Sequence, residues 1–328
     1  MSEVRTINLV GGRGYTGSEL LGLIAAHPDM DLGMASSRSH AGQKISSTCD
    51  RWPDDDRCFT KLEPAGISAY PADAWVLALP NGLAGAWVAA IQRDFPDSVI
   101  LDLSADYRFD PDWAYGLPER YRDQIRSARL VANPGCYATG AQFGLLPLAE
   151  HLVSAPVVFG VSGFSGAGKT PSPRNDPEVL RDNMIPYALS GHMHEKEISS
   201  QLQTDIRFMP HVAAFFRGIS LTIAFELDQV TSSAELEALF QAEYVNEARV
   251  LVSRDIPQVS AVQGTADVHI GGFDVDARDA TRGSLVVTLD NLLKGAASQA
   301  IQNLNLALGL DEGAGIASGM IKSSTLIE

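Results

Sequence analysis

An α/β chain of two domains, one built on a parallel sheet and a later α+β one on a mixed, largely antiparallel sheet, is what the residue pattern predicts. Three features carry that expectation. Apolar strands alternate with helical stretches over roughly the first 150 residues. A glycine-rich turn follows the first strand directly, and beyond about residue 150 the connections become longer and irregular.

Ile7–Val10 is a short β-branched strand that runs into Gly11-Gly12-Arg13-Gly14-Tyr15-Thr16-Gly17; Ser18–Ile24 behind it has helical spacing. Asp31–Ala35 is a second strand, ending in Ser36-Ser37-Arg38. Trp75–Leu79 reads as a buried strand stopped by Pro80-Asn81-Gly82, and Ser98–Leu103 as another, ending in Ser104-Ala105-Asp106. Parallel strands that each end in glycine or polar residues put ligands at their carboxyl edge. The apolar run Leu130-Val131-Ala132 then enters Asn133-Pro134-Gly135-Cys136-Tyr137-Ala138-Thr139, a tight turn that delivers a cysteine to the start of a helix. Further on, Pro156–Ser162, Arg207–Met209, Ile219–Leu227 and Ser284–Leu289 read as strands, and Ser233–Tyr244 and Gly295–Leu308 as helical. Asp50–Asp56 and Ala167–Pro177 are polar, proline-bearing loops. Two domains are expected with a boundary close to Cys136, drawn as residues 1–147 for the first, with 295–328 packing back on it, and 148–294 for the second.

At 328 residues and 45% hydrophobic side chains the chain is long enough for two cores. Its opening lacks a basic-then-apolar leader and no apolar stretch approaches a membrane span, so a cytoplasmic protein without membrane partners is expected. Cys49, Cys58 and Cys136 form neither an even set nor a C-x-x-C pair, which argues against disulfide scaffolds and zinc ribbons. A formal charge of −15 argues against nucleic acid. It also means that an anionic ligand must be gathered by local arginine or lysine against a repulsive field.

Gly12-Arg13-Gly14-Tyr15-Thr16-Gly17 satisfies G-x-G-x-x-G between a strand and a helix, the context in which glycines let a pyrophosphate approach a helix N-terminus. With the strand order expected around it, this reads as a Rossmann-type dinucleotide domain. Ser36-Ser37-Arg38 stands where an NAD site usually carries an acidic residue, and two hydroxyls with a guanidinium suit a 2′-phosphate, hence NADP(H). Cys136 at a helix N-terminus meets unpaired N–H groups that favour a thiolate poised to attack a carbonyl carbon. Gly163–Thr170 matches the Walker A pattern literally, but Pro171, Pro173 and Pro177 follow where a phosphate-binding helix would have to run. His192 and His194 are the clustered pair among seven histidines; their spacing is poor for two metal ligands on one helical face, and no metal is expected. General acid/base work is the other reading of the pair.

In these blocks the chain resembles the N-acetyl-gamma-glutamyl-phosphate reductase family, within the group that also holds aspartate-semialdehyde dehydrogenase. The likeness runs nearly end to end and is most specific at Val131–Pro147; Asp102–Arg108, Tyr115–Glu119, Ser165–Gly168, Phe208–His211, Arg217–Ile219 and Asp290–Ala297 are further blocks. The resemblance implies NADPH-dependent reduction of an acyl phosphate through a cysteine thioester. It implies Cys136 as nucleophile, His194 as acid/base and His192 beside them. Arg108 and Arg217 would hold anionic groups of the substrate. Gly11, Gly14, Tyr15, Thr16, Gly17, Ser37, Arg38, Pro80, Asn81, Ser165, Gly166 and Asn291 would hold the cofactor, and the second domain would be catalytic and form a homodimer or homotetramer. Asn81 stands where relatives often carry His, Lys196 where they carry Pro, and Gly12 where Ala is common. Within the same chemistry the alternative is an aspartate-semialdehyde dehydrogenase; an NADP-sensing regulator and a P-loop triphosphatase explain fewer of the residues.

Overall fold

The computed structural model describes residues 3–316, which fall into two compact units, 3–135 with 296–316 and 136–295.

In the first unit, β1 (Arg5–Val10), β2 (Met30–Ser36), β3 (Ala74–Leu77), β4 (Val99–Asp102), β5 (Ala114–Tyr115) and β6 (Leu130–Ala132) form one sheet in the order β2-β1-β3-β4-β6-β5. Every pairing is parallel. The chain crosses from one side of β1 to the other between β2 and β3, so a switch point lies at the carboxyl ends of β1 and β3, where such sheets bind ligands. The connecting helices are α1 (Tyr15–Ala25), α2 (Gly85–Asp94) and α3 (Pro118–Ser127). Strands covered on both faces need apolar side chains in both directions, and β3 (Ala-Trp-Val-Leu) and β4 are buried throughout.

The second unit carries α4 (Cys136–Leu145), β7 (Val157–Gly163), α5 (Pro177–Leu180), β8 (Met184–Pro186), α6 (Met193–Leu202), β9 (Arg207–Ala213), β10 (Ile219–Glu226), α7 (Ser233–Glu243), β11 (Val250–Val252), α8 (Val259–Val262), β12 (Val268–Val275) and β13 (Arg282–Leu289). Its sheet runs β11-β12-β13-β10-β7-β9-β8, parallel at β11–β12 and β7–β9 and antiparallel elsewhere. β10 alternates, burying Ile219, Leu221, Ile223 and Phe225 while the residues between them are more open, as one covered face requires.

The unit boundary lies between Gly135 and Cys136, ahead of the expected division after residue 147. The reason is α4. Its Gly140 and Gly144 lie one turn apart, and a Cβ on either would strike Leu221 and Leu289 or Ile223 and Val287 at 2.4–2.9 Å. The bare helix face therefore beds on β10 and β13 and joins the second unit. After β13 the chain returns to the first unit as α9 (Ser298–Ala307). There Asn305 Oδ1 meets His27 Nε2 at 3.0 Å. Residues 317–328 of the expected returning segment lie outside the described residues. Among the described residues no helix is long and apolar enough to cross a membrane.

Candidate active site

At the switch point the turn after β1 is shaped by backbone alone. Gly11 has φ +93°, a conformation that favours glycine, and a Cβ there would sit 2.2 Å from the Ala78 carbonyl oxygen. Gly11 and Gly12 both donate to the Ser36 carbonyl at 3.2 and 2.9 Å. Gly17, one turn into α1, packs on the backbone of Gly12, whereas a Cβ on Gly14 would meet nothing within 4 Å. Gly14 is the N-cap of α1, no side chain caps that end, and the first turn, Tyr15 and Thr16 included, holds no acidic residue. An open glycine at a positive helix pole fits the pyrophosphate of a dinucleotide.

After β2, Ser37 donates its N–H to Thr60 O and its hydroxyl accepts from His40 N–H at 3.2 Å. Arg38 is exposed and paired with Glu63 at 3.3 Å. After β3 come Pro80 and Asn81; Asn81 Oδ1 accepts from Ala105 N–H at 3.0 Å, and Asp106 accepts from Gly82 and Ala84 N–H. The loops following β3 and β4 thus hold each other at the sheet edge. Arg108 is buried, and its Nε and one terminal nitrogen donate to the carbonyls of Asn133 and Leu103, both at 2.9 Å. Burial pushes the nearby Asp102 carboxyl above the usual carboxylate range, against the Ser104 hydroxyl and N–H that bond it.

In the second unit Cys136 opens α4, which packs against α6. His192 is the N-cap of α6, its Nδ1 accepting from His194 N–H at 3.1 Å, so the neutral ring carries its proton on Nε2. Burial, more than any charge, holds the His192 imidazole below its ordinary value. His194 lies in the first turn, its ring 4.9 Å from that of His192 and 5.9 Å from that of Tyr137. Phe208 closes on Tyr137 at 4.9 Å and on His192 at 5.3 Å. Tyr187 meets His192 edge to face at 5.6 Å, and its hydroxyl is pushed up to about 12 by burial and then by negative charge at Cys136. The Tyr137 hydroxyl, raised for the same reasons, donates to His211 O at 2.7 Å. The helix that Cys136 opens thus packs against the one that carries a histidine pair in a cluster of aromatic rings. A low-polarity surround of this kind strengthens each charge–dipole interaction made inside it.

Arg217 is buried and its guanidinium grips Asp290 by two bonds, Nε to Oδ2 at 2.5 Å and a terminal nitrogen to Oδ1 at 3.1 Å. Asp290 also accepts from Gly264 and Leu292 N–H. Asn291 Oδ1 takes Gly218 N–H at 2.7 Å, and its Nδ2 donates to Ser165 Oγ at 2.9 Å. Ser165 and Gly166 sit in a short 3₁₀ turn, Phe164–Ala167, whose continuation holds Gly168 at φ +76° and no long helix. The Walker-like stretch is therefore a strand-end turn tied to Asn291 and not a phosphate-binding loop.

Residues 6–128 match the family model described as semialdehyde dehydrogenase, NAD binding domain, and residues 136–291 that of the semialdehyde dehydrogenase, dimerisation domain. The gap between the two matches contains the unit boundary at Gly135. An N-acetyl-gamma-glutamyl-phosphate reductase from Xanthomonas campestris pv. campestris is 50% identical over 94% of this chain and 96% of its own. The chain belongs to the N-acetyl-gamma-glutamyl-phosphate reductase family. Another reductase of that name, from Stenotrophomonas maltophilia, is 48% identical over 94% of this chain and 96% of its own. Protein arg-6, mitochondrial, from Neurospora crassa is 47% identical over 96% of this chain, which spans 37% of that longer protein. Among solved structures, aspartate semialdehyde dehydrogenase II from Vibrio cholerae superposes with a TM-score of 0.75 at 18% identity, covering 93% of this chain and 98% of its own, which shows a shared fold.

Within the family frame, three residues to which sequence reasoning gave no role of their own come into view. Tyr187 follows β8, an edge strand of three residues with no periodicity to betray it. Asp290, the anchor of Arg217, is visible in sequence only as the first polar residue after β13. Gly295 comes so close that a Cβ would lie 2.7 Å from Cys136 Cβ. Its close approach shows only in three dimensions.

Proposed function

We propose that this protein reduces N-acetyl-L-glutamyl 5-phosphate to N-acetyl-L-glutamate 5-semialdehyde and phosphate, in arginine biosynthesis, with NADPH as reductant. The observation that carries this reading is the cysteine at the first turn of α4, on a helix packed against the one that bears His192 and His194, in a chain half identical to reductases of that name. Cys136 Sγ attacks the acyl carbon, and phosphate leaves with the bonding pair, giving a thioester. Bound NADPH supplies the hydride that the thioester carbon accepts. The oxyanion's electron pair then re-forms C=O, the C–S bond breaks to thiolate, and aldehyde departs. Backbone N–H groups at the start of α4 stabilise the oxyanion at each tetrahedral stage. His194 takes the thiol proton, for which general-base assistance is worth on the order of 10² to 10⁴ in rate.

Arg108 brings positive charge to the Asn133 carbonyl, three residues ahead of the cysteine, and is assigned to the acyl phosphate. His192 presents an Nε2 proton to the substrate. Arg217, locked to Asp290, acts on the substrate by fixing the loop that presents Asn291. The Gly11–Gly17 turn, Ser37, Arg38 and Asn81 are assigned to NADP(H); on binding a 2′-phosphate, Arg38 exchanges Glu63 for it. The dimerisation-domain match supports a homodimer or homotetramer, and a cytoplasmic enzyme without membrane or nucleic-acid partners fits the charge.

Two measurements test the reading. NADP- and phosphate-dependent oxidation should be faster with N-acetylglutamate semialdehyde than with aspartate semialdehyde; the reverse order would make this an aspartate-semialdehyde dehydrogenase. Enzyme quenched with acyl phosphate, without reductant, should carry the acyl mass on the Cys136 peptide, and an unmodified peptide beside normal turnover would refute the thioester.

A further inference from the structure

The loop that follows the Walker-like turn has no part in the reaction as described, yet it is built to hold one side chain still. Asn175 Nδ2 donates to the carbonyls of Gly168 and Thr170 at 2.7 and 2.8 Å, while its Oδ1 accepts from Ser172 N–H at 2.8 Å and Ser172 Oγ at 3.3 Å. Residues 168–175 are thereby closed on themselves. Pro173 opens the 3₁₀ turn Pro173–Asn175, and Asp176 starts α5 by accepting from Glu178 N–H. The side chain so presented is Arg174.

Its guanidinium carbon lies 4.8 Å over the ring of Tyr187, the tyrosine that stands edge-on to His192 and feels the charge of Cys136. Arg174 is also one of the charges that lower the His192 imidazole, which places it within electrostatic reach of the histidine pair. It forms no ion pair among the described residues, although the chain carries 40 acidic against 25 basic side chains. In a chain so rich in carboxylates, an exposed arginine stacked on Tyr187, one ring away from His192, and matched to no acid has its charge turned to something that arrives. Arg217, by contrast, is neutralised by Asp290.

We propose that Arg174 binds an anionic oxygen group of the substrate, its carboxylate or its acyl phosphate, from the Tyr187 side of the cysteine. The inference rests on the acyl-phosphate reading above. A guanidinium offers paired N–H donors in one plane, the geometry that carboxylate and phosphate oxygens accept. Tyr187 beneath it fixes the plane, and Asn175 fixes the backbone.

The test uses the full-length enzyme in the NADP direction, varying N-acetylglutamate semialdehyde and inorganic phosphate separately. Arg174→Gln should raise one Michaelis constant by about 10- to 100-fold, the loss expected for one charge-assisted hydrogen bond, with kcat little changed. A rise for phosphate identifies the phosphoryl group as the partner; a rise for semialdehyde identifies the carboxylate. Arg174→Lys, which keeps the charge, should recover part of the loss, a rescue that a merely structural residue would not show. An active wild type whose variants leave both Michaelis constants unmoved, or lower kcat alone, overturns the inference. A wild type inert toward this substrate overturns the functional reading and the inference together.

Discussion

Gly295→Ala puts the placement of the nucleophile to a direct test. Gly295 lies in the π-helical turn Leu293–Ala297, which follows the Asp290–Asn291 loop. Its missing side chain is where Cys136 fits: an alanine Cβ would stand 2.7 Å from Cys136 Cβ, 3.3 Å from its Cα and 3.2 Å from Asp290 O. Carbon atoms relax at about 3.5–4.0 Å, so the cysteine or the turn must retreat by about 1 Å. A shift of that size in a reacting group costs about 10²-fold in rate. Overpacking of this kind also costs about 1–3 kcal/mol of stability. The assay is kcat at saturating acyl phosphate and NADPH, beside a thermal melt and a fluorescence titration with NADPH. A loss of kcat larger than any loss of NADPH affinity is expected, because the closest clash is with Cys136 itself while the Gly11–Gly17 turn is untouched. A variant with kcat within about threefold of wild type and an unshifted melt would show that Cys136 has room to move and that its position is not critical.

Further outcomes follow from the same geometry. Cys136→Ser should lower kcat by more than about 10³-fold with NADPH affinity nearly unchanged; substantial residual turnover would mean that the nucleophile is another group. Arg108→Ala should raise the Michaelis constant for acyl phosphate by about 10-fold or more, since it removes a buried cation from the Asn133 and Leu103 carbonyls, and movement of the NADPH constant alone would transfer Arg108 to the cofactor site. His27 gives a pH signature. Burial holds its imidazole below the ordinary 6.5, while Nδ1 accepts from Asp29 N–H and Nε2 faces Asn305. The unfolded chain therefore takes up this proton first, so the stability His27 contributes is complete above pH 6.5 and is lost as pH falls through the lower folded value. His27→Gln should flatten the stability–pH curve below 6.5, as followed by urea unfolding at several pH values; an unchanged slope would refute the assignment.

Where the chain obeys a local rule, the fold was readable. The β1–α1 glycine turn, β2, β3, β4 and the cysteine turn are each set by apolar runs and the turn residues that stop them, so few residues decide each one. β12 escaped because Gly271-Gly272 breaks its pattern: the pairing with β13 shifts register there, and a Cβ on Gly271 would lie 2.2 Å from Asp255 O. A boundary close to Cys136 was readable, but the docking of α4 was not, because its glycines look like helix weakeners in sequence and become a docking face only against β10 and β13. The site was half legible for the same reason. Cys136, His192 and His194 announce themselves by chemistry and spacing. Tyr187, just after a three-residue strand, and Arg174, in a proline-rich loop, are brought to His192 and to each other only by folding.

Charge explains why the local cations matter more than the balance of −15 suggests. At physiological ionic strength the Debye length is about 8 Å, so most of the excess carboxylates act on an approaching acyl phosphate only as a weak, screened repulsion that slows encounter. Around each arginine, taken by itself, the accounting differs. Arg217 contributes no net charge, because Asp290, fully buried, cancels it and fixes the Asn291 loop in return. Arg108 donates to the Asn133 and Leu103 carbonyls, and burial pushes the nearby Asp102 carboxyl above the usual carboxylate range. Arg174 stacks on a ring and opposes no carboxylate among the described residues. An acidic protein can therefore still offer local positive charge to an anion where an arginine such as Arg174 opposes no carboxylate among the described residues, the rest of its negative charge lying on a surface where salt hides it.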